Sequence, residues 1–77
     1  MQPEELVVTI GRNIRKRRME LGLTQVDLAE RLGITQTYLS DVEQGKRTPR
    51  TPRLAKFAEA LEVNPTYLVD PQPVAAV

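Results

Sequence analysis

Residues 22–46 read GLTQVDLAERLGITQTYLSDVEQGK, and this stretch predicts two short helices joined by a tight turn. Thr24 and Thr35 are suitable N-caps for helices Gln25–Leu32 and Gln36–Gln44, because their hydroxyls can accept from free N–H groups. Gly33 ends the first helix in the left-handed conformation that glycine tolerates. Because the connection is so short, the second helix must cross the first at a steep angle.

Helical patterning continues on both sides of this pair. Apolar residues at helical spacing predict a first helix that ends at Leu21, before Gly22. After the pair, Thr51 is expected to cap a fourth helix with Pro52 at its first position. Asn64 opens a short fifth helix through Leu68 in the same way. The sequence therefore predicts an all-α, five-helix domain over residues 1–70, followed by a short flexible tail over residues 71–77.

Length and composition exclude most kinds of chemistry. At 77 residues and 8.7 kDa the chain should form one domain around a small core. It has no Cys and no His, and Ser40 is its one serine, so thiolate catalysis, a Ser-His-Asp triad and Cys- or His-bound zinc are unavailable. No apolar run approaches the roughly 20 residues of a membrane span, and the acidic N-terminus is unlike a signal peptide. We therefore expect a cytoplasmic binding protein without catalytic activity, metal or cofactor.

The formal net charge of +1 hides an uneven distribution along the chain. Residues 6–19 contain five basic side chains and no acid, and residues 44–56 contain another five and no acid. Residues 57–77 contain acids and no base. A single charged run is often ordinary solvated surface, but two runs that bracket the helix pair favour a polyanionic partner.

The second helix of the pair is expected to present polar groups outward. Amides, hydroxyls and one carboxylate can hydrogen-bond base edges in a DNA major groove, although an ordinary wet helix face has the same composition. The residues of this face are Gln36, Thr37, Ser40, Asp41 and Gln44.

The chain resembles the helix-turn-helix of the phage repressor/Cro-type (XRE) regulators. The resemblance covers roughly residues 9–69, and order, spacing and flanking helices all agree. It is carried by Ile10-Gly11, Gly22-Leu23-Thr24-Gln25, Leu28-Ala29, Leu32-Gly33-Ile34, Thr37-Tyr38-Leu39-Ser40 and Val42-Glu43-Gln44-Gly45-Lys46. It implies a compact, lambda-repressor-like five-helix domain that binds double-stranded operator DNA, usually as a symmetric homodimer.

The resemblance also implies base-reading positions on Gln36, Thr37 and Asp41, with Tyr38 and Ser40 nearby. Gln36 can offer a bidentate amide to adenine, and Thr37 can give its methyl group to thymine. Asp41 can accept from cytosine N4 or act by excluding other sequences. Tyr38 can pack on a sugar or a thymine methyl, or it can be a half-buried filler.

Phosphate contacts are implied at two places. Thr24 and Gln25 stand at a helix N-terminus, where free N–H groups and the helix dipole favour an anion. Lys46, Arg47 and Arg50 follow the second helix of the pair, although Arg50 is also suited to a narrow minor groove. From the first basic run we expect a phosphate contact only from Arg15.

Two further sets of residues have structural roles under the resemblance. Arg18 and Glu43 are expected to form a mostly buried ion pair, so replacing Glu43 should loosen the domain rather than change its specificity. A homodimer interface is expected in the acidic C-terminal third, unless its aromatic and leucine side chains merely cover the core, and residues 6–8 offer a second apolar patch. The interface residues are Val63, Tyr67, Leu68 and Val69.

Two functions from different classes remain open at this point. The first is a bacterial or phage-type transcriptional regulator, acting as a repressor, that binds an inverted-repeat operator. The second is an antitoxin or adaptor that uses the same fold mainly to hold a partner protein. Because a short tail provides little chain to wrap a partner, we favour the DNA-binding function.

Overall fold

The computed structural model describes residues 2–71 and contains five helices in that part of the chain. The tail expected over residues 71–77 therefore lies, apart from Pro71, outside the described residues. The helices are α1 (Pro3–Glu20), α2 (Gln25–Leu32), α3 (Gln36–Glu43), α4 (Thr51–Ala60) and α5 (Pro65–Val69). No strand occurs among the described residues, so the predicted all-α class is confirmed, and the helix ends fall within one residue of prediction.

The helix pair α2–α3 begins and ends as local sequence chemistry dictates. The Thr24 hydroxyl accepts from the Asp27 N–H at 3.0 Å, and the Asp27 carboxylate accepts in return from the Thr24 N–H at 2.9 Å. Gly33 closes α2 with φ 65°, a conformation that a side chain would strain. The Thr35 hydroxyl then accepts from the Tyr38 N–H at 3.0 Å and starts α3.

The predicted cap of α4 is wrong by one residue. The helix begins at Thr51 with Arg50 as its N-cap residue, and no side chain caps it. The Arg50 carbonyl already accepts from the Leu54 N–H at 2.8 Å, so the helical hydrogen bonds start one residue earlier than expected. Pro52 fits this arrangement because the N–H groups of the first turn have no intrahelical partner in any case.

The core is shared by all five helices, and its largest fully buried side chain is that of Phe57. Asn13 is buried in the same layer, with 1% of its surface exposed, and its amide fastens α1 to α5. The Asn13 Nδ2 atom lies 3.1, 3.1 and 2.7 Å from the carbonyl oxygens of Tyr67, Leu68 and Asp70. The buried apolar side chains are those of Ile10, Ile14, Leu28, Ala29, Leu39, Val42, Phe57, Ala58, Leu61, Tyr67 and Leu68.

The helices α1 and α3 approach closely where Gly11 faces the end of α3. A Cβ atom added to Gly11 would lie 2.2 Å from the carbonyl oxygen of Val42, which is closer than any real contact of this kind. The absence of a side chain at Gly11 therefore sets how near α3 packs to α1. This contact fixes the position of the helix whose outer face carries the candidate site.

Candidate nucleic-acid interface

The outer face of α3 forms a shallow hollow together with the start of α2. Its volume is about 250 Å³, and it is lined by Gln25, Gln36, Thr37, Ser40 and Asp41. Gln36 and Thr37 are exposed, whereas Ser40 and Asp41 are half-buried. The structure thus brings four of the five predicted base-reading residues to one surface, beside one of the predicted phosphate contacts.

A chain of hydrogen bonds runs from the core to this surface. Arg18 and Glu43 form the expected ion pair, with Nε–Oε2 and Nη2–Oε1 distances of 2.8 and 3.0 Å. Their side chains are 11% and 2% exposed. Gln25 Nε2 donates to Glu43 Oε1 at 3.1 Å, and Gln36 Nε2 lies 3.5 Å from Gln25 Oε1. The ion pair therefore holds the amide of Gln25, which in turn faces Gln36.

Two predicted residues already have partners of their own. The Ser40 hydroxyl accepts from Gln44 Nε2 at 2.8 Å within α3. The Thr24 hydroxyl is occupied by its cap bond to the Asp27 N–H. The backbone N–H and then the hydroxyl of Thr24 hold the pKa of the Asp27 carboxyl below its usual range.

Beside the hollow lies a basic groove between α3, the loop that follows it and the start of α4. Its volume is about 570 Å³, and Lys46, Arg47 and Arg50 of the predicted phosphate contacts line it together with Tyr38. All three basic residues are exposed, and Pro49 in the same loop is buried and anchors it. Arg15 is exposed on α1 but lines neither this groove nor the hollow.

Sequence reasoning missed one member of the groove, Arg53. The guanidinium carbons of Arg47 and Arg53 lie 5.2 and 4.9 Å from the centroid of the Tyr38 ring. The sequence places Arg53 only within the basic run of residues 44–56. Its position on α4 one turn after Arg50 could have suggested that both reach the same groove.

The expected dimer residues divide into buried and exposed members. Leu68 is fully buried and Tyr67 is 8% exposed, so both cover the core of their own chain, which is the alternative that the sequence left open. Val63 is half-buried, and Val69 is 36% exposed. Burial raises the pKa of the Tyr67 hydroxyl, which is buried without a hydrogen-bond partner among residues 2–71.

The described residues contain neither a metal-binding cluster nor a membrane-spanning helix. No group of three or more His, Cys, Asp or Glu side chains converges within residues 2–71. None of the helices in that range is both long enough and apolar enough to cross a bilayer.

Comparisons with known proteins identify relatives along most of the chain. The model of a helix-turn-helix family, HTH_3, matches residues 14–68. An uncharacterized HTH-type transcriptional regulator of Sinorhizobium fredii is 42% identical over 62 residues, which are 80% of this chain and 80% of that protein. The immunity repressor protein of Bacillus phage phi105 is 36% identical over 62 residues, or 80% of this chain. The chain spans only 43% of that repressor's length.

Solved structures of regulators have the same fold. The restriction-modification controller protein C.AhdI of Aeromonas hydrophila superposes with a TM-score of 0.76 at 34% identity, covering 80% of this chain and 94% of that one. The biofilm regulator SinR, solved in complex with DNA, superposes with a TM-score of 0.74 at 34% identity. That match covers 79% of this chain and 98% of the chain in that structure.

Proposed function

This chain belongs to the HTH_3 helix-turn-helix family of transcription regulators, and we propose that it is a sequence-specific repressor that binds an inverted-repeat operator as a homodimer. In this proposal, residues 1–70 form the DNA-binding domain. The helix α3 enters the major groove, and its outer face reads the bases. Residues at the start of α2 and in the loop before α4 bind the backbone on either side.

The observation that carries the proposal is the hollow on the outer face of α3. Two amides, two hydroxyls and one carboxylate converge there, and together they can both donate to and accept from base edges. Gln36 has an exposed amide for adenine, and its neighbour Thr37 has a methyl group for thymine. Asp41 is half-buried, which suits either cytosine N4 or the exclusion of other bases.

Charge around the hollow supports contacts with the DNA backbone. Lys46, Arg47 and Arg50 are exposed beside α3, and within the described residues no carboxylate lies within 4.0 Å of their charged groups. Gln25 stands at the N-terminus of α2, where the helix dipole favours a phosphate. We assign Thr24, which is exposed at the same helix N-terminus, to the same contact, and Arg15 to a more peripheral phosphate.

The length of the molecule supports binding as a homodimer. Symmetric half-sites are read about 34 Å apart, one turn of the double helix. The longest extent of the described chain is 31 Å, so two copies in contact can place their α3 helices one turn apart. We propose that Val63 and Val69 contribute to this contact, with Tyr67 and Leu68 supporting it from the core.

The test is a selection of bound sequences from random DNA duplexes, followed by binding measurements across salt concentrations. We expect an enriched inverted repeat and a logarithm of affinity that falls linearly with the logarithm of salt, because bound cations release counterions. Affinity that is independent of salt, with no enriched sequence, would refute DNA binding and favour the adaptor function.

Two variants separate base reading from backbone binding in the same assay. Replacing Gln36 with Ala should relax the preference at one base position of each half-site. The binding free energy that favours the preferred base there should fall by about 1–3 kcal/mol. Replacing Lys46 with Ala should weaken binding to all DNA sequences alike and leave the base preference unchanged. A Gln36→Ala variant with unaltered preference would remove Gln36 from the base-reading set.

A further inference from the structure

The basic groove holds a cluster that the base-reading hollow does not explain. Lys46, Arg47, Arg50 and Arg53 line it, and they come from two different elements, the loop after α3 and the first turn of α4. None of the four has a carboxylate within 4.0 Å in residues 2–71. Four like charges around one groove repel each other, so the groove is arranged for an anion.

The ring of Tyr38 organises two of these charges. The guanidinium carbons of Arg47 and Arg53 lie 5.2 and 4.9 Å from its centroid, so they are no more than 10.1 Å apart. A guanidinium over an aromatic face is attracted by the negative charge of that face. Tyr38 therefore draws together one arginine from the loop and one from α4, which lie apart in sequence and would otherwise repel each other.

We propose that Arg53 is a DNA-backbone-binding residue and that Tyr38 is the positioning residue that holds it beside Arg47. The proposal rests on the proposed function. It extends the backbone contact from the loop onto α4, so that the two arginines bind the same stretch of phosphate backbone. Guanidiniums suit this role because their planar set of donors matches phosphate geometry.

The same geometry changes the expected role of Tyr38. A ring that carries a guanidinium on its face has less free surface for a thymine methyl or a sugar. Tyr38 is half-buried, and it lines the basic groove rather than the hollow that holds Gln36 and Thr37. Its contribution should therefore be independent of base sequence.

The first experiment measures operator affinity against salt for Arg53→Gln and for a matched control, Arg31→Gln. Arg31 is exposed in the last turn of α2 and does not line the groove, so its replacement removes the same charge elsewhere. We expect Arg53→Gln to lower the slope of log affinity against log salt by about 0.9 for each Arg53 that contacts a phosphate, which is about 1.8 for a homodimer, and Arg31→Gln to leave the slope unchanged. The proposal is overturned if Arg53→Gln leaves the slope unchanged, or if both variants lower the slope by the same amount.

The second experiment compares Tyr38→Phe with Tyr38→Leu. The Phe variant keeps the aromatic face and should bind like the wild type, whereas the Leu variant should bind all sequences more weakly with an unchanged base preference. A changed preference at one base position in Tyr38→Leu makes Tyr38 a base-reading residue and overturns its positioning role. If the wild type itself shows no salt dependence, the proposed function fails before either variant is compared, so the two failures are distinct.

Discussion

Gly11 is the residue at which the spacing between α1 and α3 is decided. Replacing it with Ala places a Cβ atom 2.2 Å from the Val42 carbonyl oxygen, so the backbone of one helix must move. We expect a loss of about 1–3 kcal/mol in the free energy of unfolding, despite the better helix propensity of alanine. Urea denaturation measures this loss. Lys16→Ala, exposed on the same helix, is the control and should stay within about 0.5 kcal/mol.

Glu43 is the second residue on which the fold depends. Its carboxylate is 2% exposed and neutralises Arg18, so Glu43→Ala leaves a guanidinium charge largely buried and unpaired. The expected cost is about 3–5 kcal/mol of unfolding free energy, measured by thermal or urea denaturation.

The double variant Arg18→Met, Glu43→Leu is the control for this loss, because it removes both charges and should recover much of the stability. The expectation that Glu43 is structural is contradicted if Glu43→Ala keeps wild-type stability and instead changes the operator preference.

Residue-scale features were predictable only where neighbours in sequence decide them. Gly33 could be read as a helix stop because its left-handed conformation is a local requirement. Gly11 and Asn13 could not be interpreted in this way, because their roles depend on Val42 and on α5, which are distant in sequence. The stacking of Arg53 on Tyr38 escaped prediction for the same reason.

At the scale of elements, the N-terminal caps divide into those that use a side chain and those that do not. Thr35 caps α3 through its hydroxyl, whereas the Thr51 hydroxyl makes no cap bond at the start of α4. We expect Thr35→Ala to cost about 1 kcal/mol of unfolding free energy and Thr51→Ala to stay within about 0.5 kcal/mol. Chemical denaturation of both variants checks this. If both variants lose the same unfolding free energy, Thr51 caps α4 through its hydroxyl after all.

Most helix boundaries followed from the sequence because threonine, asparagine, glycine and proline each have a local reason for their positions. The prediction of the α4 cap was wrong because Pro52 is compatible with either of the first two helical positions. The sequence alone therefore leaves the start of α4 uncertain by one residue. The order and crossing of α2 and α3 were predictable from the three-residue turn. The depth at which α3 packs against α1 was not, because it depends on a contact between helices.

At the scale of the whole molecule, one surface gathers a cluster of positive charge. Four basic residues line the groove beside α3, namely Lys46, Arg47, Arg50 and Arg53, whereas the acids of residues 57–70 follow on α4 and beyond it. The α5 end carries the exposed Val69 and the positive charge of Arg12, which donates to the carbonyl oxygen of Pro71. We assign this end to contact with a second copy.

We therefore expect Val69→Glu to raise the dissociation constant of the homodimer and to weaken binding to the full operator. The thermal stability of the monomer should be unchanged, since Val69 is 36% exposed. Sedimentation equilibrium measures the association. Val8→Glu, 55% exposed on α1, is the comparison, and a larger effect there would assign the interface to the apolar patch of residues 6–8.

The hydrogen bonds of Asn13 have a consequence for how the protein is made. The five residues of α5 are too few to form a stable helix alone, and their last carbonyl groups depend on an amide from the first helix. During synthesis, α1 leaves the ribosome before residues 65–70 do, so the part of its inner face that packs against α5 stays uncovered until they emerge. Completion of the core should therefore wait until α5 has left the ribosome.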